Sequence, residues 1–170
     1  MAIKDSGERK EFSTGAVRDI QEGKGRCDLL PLDVVAGFYK ALAFPDTGWV
    51  FTHLDAFVET GDICHLYDAL SGLEPFDKLS EMFLEVSVHF EEGCAKYGEN
   101  NWQKGIPVKC YINSAVRHYL KWLRGDTDER HDRAFCWNII CAIWTCKHKP
   151  ELNDYKERTN YESHIDSSHP

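Results

Sequence analysis

Three acidic residues stand where an isolated carboxylate is costly. Wound as a helix, the segment ending at Tyr97 puts Glu91 on one flank with Leu84, Val88 and Ala95, beside an apolar stripe of Phe83, Val86, Phe90, Cys94 and Tyr97. Further on, Glu129 and Asp132 fall one turn apart in line with Cys136, Ile140 and Ile143. A buried carboxylate needs a cation or hydrogen bonds. Carboxylates turned inward from two helices suit a hard divalent cation such as Mg2+, which takes oxygen ligands and leaves positions for water or substrate phosphates. A second reading stays open for each: Glu91 as a boundary residue with its head in water, and Glu129 and Asp132 as acids favoured by the positive end of a helix dipole. Glu81, Glu85, His89, Glu92 and Lys96 line the opposite face of the earlier helix, which reads as solvated, although Glu92 and Lys96 also sit near a glycine-rich turn.

Other residues capable of binding gather in loops. Gly15, Arg18, Gly23, Lys24, Gly25 and Arg26 form a cationic lead-in, and Lys96, Asn100, Asn101, Trp102 and Lys104 bracket the turn GENNWQKGIP. Such loops can hold phosphates, but neither matches a P-loop or a dinucleotide fingerprint. Trp102 can stack on a base or plug the end of a bundle. His118, beside Tyr111 and Trp122, reads first as a hydrogen-bonded core histidine. Asn138, amid Trp137, Ile139 and Ile140, is a buried amide that requires partners. There is no nucleophile elbow and no cysteine placed as a nucleophile.

The elements that must position these groups are helices. Pro31 opens one with Leu32, Val35, Phe38 and Leu42 on a single stripe, reaching Phe44 before Pro45, Asp46 and Gly48 stop it. Residues 49–72 mix strand-like alternation with helical pattern and are taken as mostly helical. Further helices are expected from Pro75 to Tyr97, from Pro107 to Gly125, and from an N-cap at Asp126, Thr127 or Asp128 to Lys149. The fold class is all-α, a four- to five-helix bundle. Residues 1–11 are expected to be flexible and 150–170 to be a polar tail, leaving a single helical domain at 12–149 with a candidate insertion at 45–75.

A chain of 170 residues with 42% hydrophobic and 12% aromatic content can bury a core, which excludes general disorder. The net charge of −8 argues against non-specific polyanion binding and leaves a small anion held through a metal. Seven cysteines without a C-x-x-C pair read as small buried hydrophobes of a reducing compartment. No apolar run is long enough for a bilayer span and residues 1–12 are polar, so a soluble, cytoplasmic protein is expected, with no membrane or nucleic-acid partner.

Segments 12–31, 91–107 and 114–138, with the elements K-Y-G-x-x-N-W at 96–102, R-H at 117–118 and G-D-x-D-E-x-H at 125–131, resemble the phage dATP/dGTP diphosphohydrolase family, MazZ, relatives of the all-α MazG nucleotide pyrophosphohydrolases. The resemblance implies a MazG-like fold and metal-dependent hydrolysis of a purine deoxynucleoside triphosphate to the monophosphate and pyrophosphate. In phages that replace adenine with 2-aminoadenine, such an enzyme supplies dGMP and removes dATP. Carried over by residue, the MazG E-x-x-D is met by Glu129 and Asp132, whereas its partner E-x-x-E is not, because Cys94 and Ala95 stand three residues after Glu91 and Glu92. Glu91, Glu92, Glu129 and Asp132 are therefore expected as the ligands of catalytic Mg2+, with Mn2+ or Co2+ as substitutes. Lys24, Arg26, Lys96, Lys104 and Arg117 are expected on the polyphosphate, and Asn101, Trp102, His118 and Asn138 on the sugar or base. A homodimer or homotetramer is also implied. Two rivals remain at this point: an HD-type phosphohydrolase using His131 and Asp132, with His89 or His118 upstream and Asp154 downstream, and a non-catalytic helical nucleotide-binding or interaction protein.

Overall fold

The computed structural model describes residues 7–20, 27–41, 45–73 and 79–155. They form a hairpin of β1 (Arg9–Glu11) and β2 (Val17–Asp19) and six helices: α1 (Leu32–Ala41), α2 (Pro45–Thr60), α3 (Cys64–Ser71), α4 (Leu79–Tyr97), α5 (Val108–Arg124) and α6 (His131–His148). The chain divides into two compact units, one of residues 1–29 with 75–152 and one of residues 30–74 with 153–170. The fold is all-α apart from the hairpin, and segment 49–72 is mostly helical, as expected, with a break between Thr60 and Cys64.

In the first unit α5 shows how pattern becomes packing. Val108, Tyr111, Ile112, Ala115 and Tyr119 recur at helical spacing and are all buried, chiefly against α6, which is buried almost all round. Gly125 ends α5 in the left-handed region at φ 83°, its N–H donating to Trp122 O and that of Asp126 to Lys121 O, the paired bonds of a Schellman cap. The strands pair antiparallel, with Lys10 opposite Arg18. Residues 9–11, expected to be mobile, are thus held as a strand, with the Arg9 guanidinium over the Tyr97 ring.

Two boundaries differ from the sequence reading. Pro45 begins α2 rather than only ending α1, since proline's missing N–H costs nothing in a first turn. Gly48 lies inside that helix, where a Cβ would come within 2.7 Å of Lys40 Cγ, so the glycine permits close packing of α1 on α2. The last helix starts at His131, not near Asp126, and no side chain caps it. Asp126 is instead engaged by Arg124, and Asp128 by Lys121 and His131.

The face of α4 is also rotated from expectation. Val86 and His89 are buried while Phe83, Leu84 and Val88 are 52%, 70% and 39% exposed, and Cys94 is exposed too. Apolar winding assumes that every apolar residue turns inward. Here a buried polar residue, His89, marks the inner face. In the second unit, Phe51, Leu54 and Phe57 of α2 join Leu66 and Ala69 of α3 in the core. Tyr155 packs edge-on against Phe57 with ring centroids 5.4 Å apart, and Asn153 donates to Gly61 O at 3.3 Å. Residues 153–155 are therefore part of a core rather than of a polar tail. No disulfide joins the seven cysteines, and no helix among the described residues is long and apolar enough to cross a membrane.

Candidate active site

A cleft of about 830 Å3 opens within the first unit, lined by β2, α4, the 101–104 turn, α5, the loop before α6 and α6 itself. At one part of its wall His118 and Glu129 meet the buried His131 behind them. His118 Nδ1 on α5 lies 3.0 Å from His131 Nδ1 at the start of α6, and each is 3.5 Å from Glu129 Oε1 in the connecting loop. Asp128 Oδ1 lies 2.8 Å from His131 Nε2. The short loop puts Glu129 and His131 two residues apart on one side, while α5 brings His118 to meet them.

The electrostatics fit ligand binding. Burial, aided by the cations of Arg117, pulls His118 down to about 2, so the imidazole is neutral with a lone pair to offer. Hydrogen bonding to His131 holds the Asp128 carboxyl down at about 2, so it is ionised and accepts the His131 Nε2 proton. This contact orients the ring so that His131 Nδ1 faces Glu129. The geometry can receive a divalent cation, and two imidazoles with one carboxylate suit Mn2+, Co2+ or Zn2+ more than Mg2+.

Cations line the same cleft. Arg18 donates to Asn138 Oδ1 at 2.6 Å and Arg117 to Ser114 Oγ at 3.0 Å, yet each keeps a buried Nη1 without a hydrogen-bond partner among the described residues. A buried guanidinium N–H left unpaired is expensive unless an anion completes it. Arg117 is itself pushed down by burial and by the charge of Arg18, which means that two like charges are held close in a sheltered wall.

A sequence profile described as dATP/dGTP diphosphohydrolase, N-terminal, matches residues 67–155, just over half of the chain. The chain belongs to the dATP/dGTP diphosphohydrolase family. It is accordingly a nucleoside triphosphate pyrophosphohydrolase. No curated protein and no solved structure matches the chain. The stretch matched to the diphosphohydrolase family contains His118, Asp128, Glu129 and His131, and Arg18 lies before it.

The structure separates the four acids that the sequence groups together. Glu129 is sheltered, with a side chain 15% exposed, but in a loop rather than on α6. Glu91 is exposed and lines the cleft instead of facing the core. Glu92 accepts from the buried Arg133 at 2.7 Å, and Asp132 accepts two bonds from Arg130 at 3.0 and 2.8 Å; neither lines the cleft. These two acids thus have guanidinium partners without any metal.

Of the residues expected on substrate, Arg117, His118, Asn101, Trp102 and Asn138 line the cleft, whereas Lys24 and Arg26 lie outside the described residues and Lys104 is exposed away from the lining. The Asn101 amide is engaged in both directions by Val17, accepting from its N–H at 2.9 Å and donating to its carbonyl at 2.8 Å. It therefore anchors β2 and so the Arg18 side chain. The Asn138 amide is taken up by Arg18 and by the carbonyl of Ala134. Lys96 pairs with Asp19, which also accepts from Tyr97 OH, both at 2.8 Å. Trp102 is wedged between Phe90 and Trp144, centroids 5.1 and 5.0 Å away.

The reading of residue patterns gave His131 only to the HD-type rival, and missed Arg18 as a cleft residue and Trp137, whose buried Nε1 has no partner among the described residues. A signal for His131 was available in G-D-x-D-E-x-H; nothing in the sequence distinguished Arg18 from its cationic neighbours. None of the metal-capable groups among the described residues contains Asp132, so the His131-Asp132 pairing of an HD-type site does not form there.

Burial also sets an acid limit on stability. His89 is lowered to about 3, by desolvation first and then by Arg133 and Arg18. An unfolded histidine protonates near 6.5 while the folded one does not, so below that pH the unfolded state gains protons and stability falls. With His118 behaving alike, the chelator-treated protein is expected to lose on the order of 1 kcal/mol per pH unit per histidine between about pH 6.5 and 4.5. Thermal melts across that range check the slope, and His89→Gln should flatten it.

Proposed function

We propose that the cleft hydrolyses purine deoxynucleoside triphosphates, dGTP and dATP, to the monophosphate and pyrophosphate with a divalent cation held by Glu129, His118 and His131. One observation carries the reading: His118 and Glu129, backed by the buried His131, line one cleft together with two arginines whose guanidinium groups are uncompleted. Bound there, a divalent cation supplies Lewis-acid polarisation of a phosphoryl oxygen and a more acidic water. Asp128 holds the His131 tautomer. Arg18, Arg117 and Lys121 neutralise the triphosphate, with Arg117 fixed by Ser114 and Arg18 by Asn138. Glu91 remains at the cleft edge as a further carboxylate for a second ion. The base has Trp102 and Phe90 to stack on and the indole N–H of Trp137 to receive a hydrogen bond from.

The donor set favours Mn2+ or Co2+ over Mg2+ as the activating ion. Incubation of dGTP, dATP, dCTP and dTTP with each ion or with EDTA, followed by anion-exchange separation, tests all of this at once. Pyrophosphate with dGMP or dAMP, faster with Mn2+ or Co2+ and absent with EDTA, is the expected outcome. Tripolyphosphate with nucleoside would overturn it in favour of triphosphohydrolase chemistry, and turnover unaffected by EDTA would remove the metal.

The chemistry suits a place in a phage 2-aminoadenine nucleotide route, where dGMP is the useful product and dATP the competitor to be cleared. A homodimer or homotetramer would cover Phe83, Leu84 and Val88, which stand together and exposed on α4.

A further inference from the structure

The unit containing α1, α2 and α3 holds a second group of convergent donors, none of which lines the cleft. His53 sits in the middle of α2, and His65 and Asp68 lie one turn apart on α3. His53 Nδ1 is 3.3 Å from His65 Nδ1 and 3.5 Å from Asp68 Oδ2, and one ligand atom from each of the three lies within 4.8 Å of the others.

Both short contacts meet at the same nitrogen. An imidazole Nδ1 carries at most one proton, so His53 cannot donate to His65 and to Asp68 together, and neither separation is that of a well-formed hydrogen bond. The separations do match the edges of a coordination tetrahedron: ligand atoms about 2.0–2.2 Å from a zinc ion stand roughly 3.3–3.5 Å apart. We infer that His53, His65 and Asp68 form a structural site for a borderline divalent cation of the zinc class, clipping α2 to α3, with water in the fourth position.

The surroundings hold these donors in place. The Trp49 ring packs on His53 with centroids 4.3 Å apart, and its Nε1 donates to the Asp68 carbonyl at 3.0 Å, tying the start of α2 to α3. The link between the helices is itself fixed. Gly61, at φ 68°, donates to Phe57 O at 2.8 Å, and Asp62 Oδ1 accepts from Cys64 N at 2.9 Å. His53 is 15% exposed, and burial lowers its pKa from the ordinary histidine value despite the opposing charge of Asp68. Asp68 is 48% exposed, which leaves solvent access on its side for the water ligand. Two imidazoles with one carboxylate select zinc-type ions over Mg2+ or Ca2+, which prefer all-oxygen shells.

The test uses the full-length protein, stripped of metal and titrated with Zn2+ by equilibrium dialysis and with Co2+ by visible absorption. The wild type is expected to bind one equivalent more than His65→Ala or Asp68→Asn, and to show tetrahedral Co2+ bands that those variants lack. Its melting temperature should rise with Zn2+ by more than theirs does. Hydrolysis of dGTP by both variants should be unchanged. Repeating the titration in Glu129→Gln separates this site from the cleft, because the equivalent that depends on His65 should survive there. Should His65→Ala fail to fold by circular dichroism, Asp68→Asn, altered at a half-exposed side chain, gives the same readout. Identical stoichiometry and identical Co2+ spectra in wild type and folded variants would overturn the site, whatever the fate of the cleft.

Discussion

Glu129→Gln is expected to lower kcat/KM for dGTP at least about 100-fold, since altering even a residue behind a metal ligand typically costs 10- to 100-fold. The amide keeps the shape of the side chain and removes its charge. Glu129 sits 3.5 Å from two imidazoles, beside a His118 that burial holds neutral, so without the carboxylate the cluster has no anionic donor for a cation. The helices should be untouched, because Glu129 lies in the loop between α5 and α6 and its bond to the start of α6 is made by its backbone carbonyl, which accepts from His131 N–H. Circular dichroism and a melt establish that, and metal affinity should fall in parallel with turnover. Near-normal activity would remove the cluster from the mechanism. Asp132→Asn then decides between the two candidate ligand sets. Asp132 is already paired with Arg130, so an equally large loss there would return the weight to the four carboxylates of the sequence motif.

Arg117→Met should separate function from stability. Arg117 is largely buried, its charge is destabilised by desolvation and by Arg18, and one of its Nη atoms has no partner among the described residues. A methionine of similar length removes an unfavourable buried charge and fills the same space, so the melting temperature should hold or rise. The triphosphate, in contrast, loses a charge-assisted pair of about 1.5–3 kcal/mol, which is roughly 10- to 150-fold in kcat/KM. Arg117→Lys should recover only part of this, since an ammonium cannot present two parallel N–H groups to a phosphate. A methionine variant that melts lower and hydrolyses dGTP normally would show the residue to be a packing element instead.

The helices were legible because local rules decide them. The 3.6-residue recurrence along α5 and the left-handed Gly125 at its end need no long-range information, and α5 appears between Val108 and Arg124 much as the pattern requires. Pattern failed where polar residues take inner positions. Nothing in the winding of α4 distinguishes a buried His89 from a solvated one, and Asp126 and Asp128 read as helix caps until their arginine, lysine and histidine partners are seen.

The sequence alone determined the class of the molecule: an all-α chain carrying the K-Y-G-x-x-N-W, R-H and G-D-x-D-E-x-H elements of a nucleotide hydrolase, since helical periodicity and short motifs are encoded by neighbours in the chain. Only the tertiary structure decided which partner each acid meets. Whether a carboxylate meets a guanidinium, as Glu92 and Asp132 do, or two imidazoles, as Glu129 does, depends on how the fold brings side chains together, and a one-dimensional spacing cannot report those distances.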